Sequence, residues 1–360
     1  MQNIVNIIVF LLILGSIIII HELGHFIAAK FFGVYCAQFS IGFGPKLWYK
    51  KGKETEYEIR ALPFGGFVAM AGEDVQDDET FKDVPVERTL KGKKTYQKVI
   101  IFLAGVFMNF VLAAIVLLGV NMTAGQIPVN NAEVGHVMEN SVAEHYGLKE
   151  GDVITQVDIK ETGQTILVSN YEDIQFDQKS LNTTAQSLTM KITVDRDGKT
   201  EVIDAKVDYN KDYEKYFLGI EQATRRMTFT EAIHYSCSTF ASMSVAIFVA
   251  VGQLITQFAD TVTQLSGPAG IYQMTSQITE SGQVTVLFNW LAMLSINVGV
   301  FNLLPIPGLD GSQVIFALIE KVIGREFPEK VKMGLQMCGL LLVIGLMVFV
   351  TYQDVLRIFG

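Results

Sequence analysis

His21-Glu22-Leu23-Gly24-His25 closes an almost unbroken apolar run, Ile4 to Ile20. Two histidines four apart on a helix point to the same side, so their ring nitrogens can share one metal ion. Glu22 stands beside them as a candidate base. The pattern H-E-x-x-H belongs to zinc-dependent hydrolysis, in which the metal acidifies a water and the carboxylate takes its proton. Its setting here is unusual. A run of that length reads as a membrane span, and two histidines with a glutamate are costly in hydrocarbon unless they have work there.

Outward from this stretch, composition agrees with a membrane protein. Half of the 360 residues are hydrophobic and 18% are charged, against roughly 25% charged in soluble proteins. The net charge of −9 and the lack of a basic cluster with interleaved aromatics give no reason to expect nucleic-acid binding. Cys36, Cys237 and Cys338 are far apart and odd in number, which fits packing rather than a disulfide framework or a C-x-x-C metal site. The N-terminus lacks the basic region and small-residue cleavage site of a signal peptide, so the first apolar run is expected to stay in the mature protein.

Four segments are apolar and long enough to span: residues 1–33 with the histidine pair, 99–122, 284–304 and 333–352. Lys30 at the end of the first span and Lys46, Lys50, Lys51, Lys53, Lys91, Lys93, Lys94 and Lys98 in the loop 34–98 gather near the membrane ends, and 305–332 brings Lys321, Arg325, Lys330 and Lys332, so both loops are expected on the cytosolic side. Between Thr123 and Glu231, 19 Asp and Glu outnumber 11 Lys and Arg, as fits the outer face. A fifth stretch, Ala232 to Ala259, carries no charge, yet a full crossing there would place the basic 321–332 loop outside. Its serines and threonine favour an interfacial or re-entrant amphipathic helix over residues 228–260. Four transmembrane helices are therefore expected.

Within 34–98, Phe39–Pro45, Glu56–Arg60 and Phe64–Met70 mix strand formers with glycine and predict membrane-associated β-hairpins whose exposed edge can hold an extended peptide. Val75–Glu87 reads as a solvated acidic linker. Residues 131–224 turn soluble in composition, with alternating strands Leu188–Val194 and Glu201–Val207 joined by the hairpin signal Asp197-Gly198. Val134–Ile154 reads as strand, helix capped by Ser141, turn at Gly147, and strand. That run resembles the PDZ domains of bacterial proteases, which implies an inserted extracytoplasmic α+β domain that either takes a peptide as an added strand or filters substrates by size. His136 and His145 have no companion ligand and read as surface residues of this domain.

Catalytic zinc commonly takes three protein ligands, and H-E-x-x-H supplies two. Asp310, in Asn302-Leu-Leu-Pro-Ile-Pro-Gly-Leu-Asp-Gly311, is the acidic candidate. Pro305 and Pro307 break the third span just before it. The residues alone leave Asp310 open between third ligand and cap of the next helix. Running inward, Ile4 to His21 covers roughly 25 Å of a core about 30 Å thick, so the histidines and Asp310 arrive on one side, near the cytosol.

His21-Glu-Leu-Gly-His25 together with Asn302-x-x-Pro-x-Pro-x-Leu-Asp-Gly311 resembles the site-2 protease family of intramembrane zinc metalloproteases. Phe43-Gly-Pro45, Leu62–Val68, Ala104-Gly-Val-Phe-Met-Asn-Phe110 and Leu265–Ile271 have counterparts in its bacterial, PDZ-bearing branch, with Val106 where the family often has proline and one recognisable PDZ domain where some relatives have two. The resemblance implies Zn²⁺ held by His21, His25 and Asp310, with Glu22 as catalytic base. Asn302, Asn297, Gly65 and Gly66 become candidates for holding substrate backbone. It further implies a multi-pass protein of the bacterial cytoplasmic membrane that cuts single-span, already trimmed substrates, such as anti-sigma factors or signal-peptide remnants, within the lipid bilayer. Two other classes compete: a PDZ-bearing scaffold with a vestigial metal site, disfavoured by the complete His21, Glu22, His25 and Asp310 set, and a metal transporter, disfavoured by the few polar residues in the second and fourth spans.

Overall fold

The computed structural model describes residues 2–73, 81–211, 214–257 and 265–359. The expected linker Val75–Glu87 lies outside these as far as position 80, as does the end of the expected 228–260 helix from position 258. Five helices among the described residues are long and apolar enough to cross a membrane: α1 (Gln2–Phe31), α2 (Thr95–Ala124), α4 (Phe229–Thr256), α6 (Val284–Asn302) and α8 (Glu329–Phe359). None contains an internal proline, so each ladder of backbone hydrogen bonds runs unbroken, as a hydrocarbon setting requires. The count exceeds the expected four because α4 is one continuous helix, apolar enough to qualify. α2 and α8 run past the expected 99–122 and 333–352 at both ends, whereas α1 and α6 stop two residues short of the expected 33 and 304. Short helices complete the set: α3 (Val142–His145), α5 (Pro268–Glu280) and α7 (Asp310–Ile323).

Residues 2–123 and 232–359 belong to one compact unit. There α1 and α2 run antiparallel, because His21 meets Asn109 while His25 meets Ile101. Contact is close at Gly24 and Gly105, where a Cβ would strike the Ala104 backbone and the His25 ring respectively. Against α2 lies α4, also antiparallel: Asn121 donates to Ser236 at 2.9 Å and, one turn further along α4, Phe240 packs on Phe110. Ile247 then joins Ala113, Leu117, Ala292, Ile296 and Val300 in one buried cluster. α4 thus meets its neighbours through Ser236, Phe240, Met243 and Ile247.

The chain then returns through α5, which no expectation included. Tyr272 meets Phe10 edge-on at 5.5 Å and Glu280 accepts from Asn6 at 2.8 Å, so α5 climbs beside the first half of α1 in the opposite sense. Asp354 of α8, 1% exposed, caps its start by accepting the N–H groups of Gly267 and Gly270 at 2.8 Å each. Those N–H groups have no partner within the helix, and a carboxylate there also meets the positive end of its dipole. α6 follows beside Ile13 and Ile17 and delivers Asp310 to the histidine pair, hence it runs parallel to α1. Leu90 and Lys91 of the 34–98 loop, Lys98 at the start of α2, Gln313 and Glu320 of α7 and Lys332 of α8 line one cavity.

β1 (Cys36–Lys51) and β2 (Glu56–Met70) form a single curled hairpin. Residues Gln38–Ile41 pair on one side with Glu56–Ile59 and on the other with Gly66–Ala69, while Lys46–Lys51 pairs with Glu56–Arg60. The sheet thus reads as four short segments, close to the expected short hairpins. Gly66–Met70 is an edge segment, with no strand beyond it among the described residues.

Residues 124–231 form the second unit. Its five-stranded antiparallel sheet has the order β6 (Gln164–Leu167), β5 (Val153–Ile159), β7 (Ser187–Arg196), β8 (Lys199–Asn210), β9 (Lys215–Tyr216). Two further pairs join β3 (Gln126–Pro128) to β11 (Thr224–Arg226) and β4 (Val134–Val137) to β10 (Ile220–Gln222). Alternation sends Leu188, Met190, Ile192 and Val194 inward to one apolar core with Val157 and Val207. Asp197 and Gly198, with φ of 53° and 78°, make the expected tight turn. Ser141 caps α3 by accepting from the Glu144 N–H at 3.2 Å.

Candidate metal centre

α1 places His21 and His25 one turn apart on its buried side, and the end of α6 hands the chain to Asp310 at the first turn of α7. Asp310 Oδ2 lies 3.1 Å from His21 Nε2 and 3.3 Å from His25 Nε2, and the two nitrogens are 3.2 Å apart. Ligand atoms about 2.1 Å from a tetrahedral zinc stand roughly 3.4 Å from one another. The triangle therefore has the size such an ion needs. Asp310 Oδ2 is also buried without a hydrogen bond of proper direction, a cost that a cation would remove. Among the described residues no other group of three such side chains converges. Of the two readings left open for Asp310, the geometry brings it to the histidines; its side chain does not cap α7.

The histidines are held from behind by α2. His25 Nδ1 donates to the Ile101 carbonyl at 2.8 Å, which leaves Nε2 with its lone pair facing Asp310. His21 Nδ1 faces the carboxamide of Asn109 at 3.3 Å. Gly105 sits between these two contacts, and its missing side chain is what admits both rings. Ile101, Gly105 and Asn109 are four apart, one stripe of a helix face.

Glu22 packs against the edge segment of the hairpin. The Cα of Gly66 comes so near that an added Cβ would lie 3.3 Å from Glu22 Cγ. Of the other expected residues, Gly65 (φ 93°) lies under the Phe43 ring, one residue from that contact. Asn297 and Asn302 sit half-buried on α6, their amides without a side-chain hydrogen bond among the described residues. His136 pairs with Glu150 at 2.8 Å on the surface of the second unit, and His145 is exposed, as expected of both. All three cysteines are free, and Cys36 is buried.

Sequence reasoning quoted Gly105 and Asn109 only as part of Ala104–Phe110, with no role for either, and did not single out Asp354. The spacing Ile101-x-x-x-Gly105-x-x-x-Asn109, with a lone amide in an apolar helix, was the available signal.

Comparison with known proteins places this site in context. The profile of peptidase family M50 matches residues 9–346. A Clostridium perfringens protein described as a candidate zinc metalloprotease is 34% identical over 347 residues, covering 96% of this chain and 97% of its own. The regulator of sigma-W protease RasP of Bacillus subtilis is 30% identical over 432 aligned positions, 98% of this chain and 99% of its own. The zinc metalloprotease RasP of Bacillus licheniformis is 29% identical with equal coverage. With a converged His-His-Asp triangle among membrane-length helices and a family match over nearly its whole length, the chain belongs to peptidase family M50, the site-2 proteases, and is a zinc-dependent, multi-pass membrane metalloprotease.

Proposed function

We propose that this protein hydrolyses peptide bonds inside the transmembrane segments of single-span proteins already trimmed outside the membrane, anti-sigma factors or signal-peptide remnants among them. One observation carries the reading: three ligand atoms within 4.8 Å of one another, built by helices long and apolar enough to span a bilayer. His21, His25 and Asp310 would hold the zinc. When bound there, zinc supplies Lewis acidity toward a scissile carbonyl and lowers the pKa of water. Glu22 accepts the proton of the attacking water on its carboxylate and passes it to the leaving nitrogen.

A substrate helix hides its backbone and must be unwound before cleavage. The open edge Gly66–Met70, lying against Glu22, suits an extended strand bound by main-chain hydrogen bonds. Asn297 and Asn302 would contribute amide contacts from α6. The topology we favour has four net crossings, with α4 entering and α5 returning, so that both basic loops share the cytosolic face; their meeting around one cavity supports this. The active site then lies near the cytosolic side of the bacterial cytoplasmic membrane. Residues 131–224 are read as an extracytoplasmic PDZ-like domain, a peptide receptor or size filter. A catalytically vestigial scaffold is disfavoured because all four chemical residues are in place.

Metal analysis of the purified chain, with cleavage of a co-expressed single-span substrate, tests the reading. Stoichiometric zinc and cleavage within the span are expected. A chain that binds zinc yet leaves every such substrate intact, alongside a cleaved relative as control, overturns it.

A further inference from the structure

Asn109 is fully buried, halfway along α2, in a helix whose neighbours offer mostly hydrocarbon. An amide there is expensive unless both its ends are satisfied. Its Oδ1 has no hydrogen-bond partner, and its Nδ2 faces His21 Nδ1 at 3.3 Å. If Nε2 of His21 is to coordinate a metal, the ring's single proton must sit on Nδ1, and Nδ2 would then set donor against donor. The two ends of a carboxamide have the same shape, so half a turn exchanges them at no steric cost. After that turn Oδ1 accepts the Nδ1–H and the contact of donor against donor is removed, with Nδ2 in the place Oδ1 held.

We propose that Asn109 is the positioning residue of His21: its side-chain oxygen accepts the Nδ1–H and fixes the ring in the tautomer that presents Nε2 to zinc. The inference rests on the ligand reading given under the proposed function. α2, which contributes no ligand, thereby orients both histidines, one through the Ile101 carbonyl and the other through Asn109. Ser295 of α6, also fully buried, donates to the Asn109 backbone carbonyl at 2.8 Å and ties this support to the helix that leads to Asp310.

The test measures zinc affinity of the full chain in detergent by chelator competition, for wild type, Asn109→Leu, Asn109→Asp and His21→Ala. Loss of the partner behind a metal-bound histidine costs about 10–100-fold in affinity, and that drop is expected for Asn109→Leu. Asn109→Asp keeps an acceptor and is expected to bind zinc at least as tightly as wild type, a rescue that packing alone does not give. Should the Asp variant not fold, ¹⁵N spectra of labelled histidine in the wild-type zinc form replace it; a proton on His21 Nδ1 supports the assignment and one on Nε2 overturns it. Wild-type affinity in Asn109→Leu, or equal losses in the Leu and Asp variants, overturn it too. His21→Ala separates the two levels: if it binds zinc unchanged, the ligand reading itself has failed.

Discussion

The two units bury opposite things. Among the described residues, thirteen polar or charged side chains are buried in the unit of residues 2–123 and 232–359, and a single one, Asp152, in the unit of residues 124–231. The first meanwhile exposes Leu12, Phe107, Ile115 and Leu341 to better than 60% each, whereas the second exposes few large aliphatics, Leu167 and Val202 among them, and packs most of the others into one core. A hydrocarbon solvent explains the inversion, since apolar surface costs nothing there and every polar group must find a partner. Buried polarity is thus common in one unit, where His21, His25 and Asn109 meet at the candidate metal centre, and nearly absent from the other, where it does a single structural job.

That contrast can be broken at several points. The largest effect is expected from Glu22→Gln, which keeps charge-free hydrogen bonding but removes the base: zinc content stays at wild-type level while cleavage falls by about 10²–10⁴-fold. Cleavage at the wild-type rate by the zinc-loaded variant would remove Glu22 from the mechanism. Next comes Gly105→Ala. The added methyl collides with His25 and His21, and displacing a metal ligand by about 1 Å costs on the order of 10²-fold in activity. Measured zinc affinity should fall with it; unaltered affinity and rate would mean that the α1–α2 contact is looser than described.

The second unit should respond in stability alone. Arg196 hydrogen-bonds both oxygens of Asp152 at 2.7 and 2.6 Å, and the Lys149 N–H adds a third bond. Asp152→Ala removes the buried partner of the guanidinium, which keeps Glu201 and the Gly147 carbonyl, and is expected to cost about 2–3 kcal/mol, below the usual cost of breaking a buried pair because Arg196 also keeps some solvent contact. Limited proteolysis of the full chain should show residues 124–231 opening while zinc content holds; loss of zinc in this variant would contradict the division of labour.

The smallest effect is one of pH. Burial pushes the Asp152 carboxyl up, but Arg196 and the Lys149 N–H pull it down and win, so its folded pKa lies below the ordinary carboxylate value. Its contribution is therefore complete above about pH 4 and is lost as the pH falls through the lowered folded value. Protease resistance of this unit should stay flat from pH 7 to 5 and decline below pH 4, with Asp152→Ala showing a shallower decline. A decline that begins near neutrality would point to another group.

Much of this was legible in the sequence. H-E-x-x-H marked one helix and two of the three side chains that converge, and the broken segment Asn302–Gly311 marked the arrival of Asp310, because prolines and an acid in an apolar run have few other uses. Asp197-Gly198 and Ser141 were read correctly because turn and cap chemistry is local. The paths of α4 and α5 were not legible. Both depend on side-chain meetings far apart in sequence, Ser236 with Asn121 and Glu280 with Asn6, and hydropathy carries no direction. Asn109 escaped for a related reason: one amide in a span has no periodicity, and only the ring behind it gives it meaning.

Gly105 has one further consequence, for variation. Every other residue brings a Cβ, and the Cβ is already the atom that collides with the histidine rings. No substitution is therefore conservative at this position, whatever its polarity or size, and a compensating change would have to move a whole helix. In a library of random variants screened for zinc retention, position 105 should return its original residue alone, while Ile101, whose contribution is a backbone carbonyl, should return many.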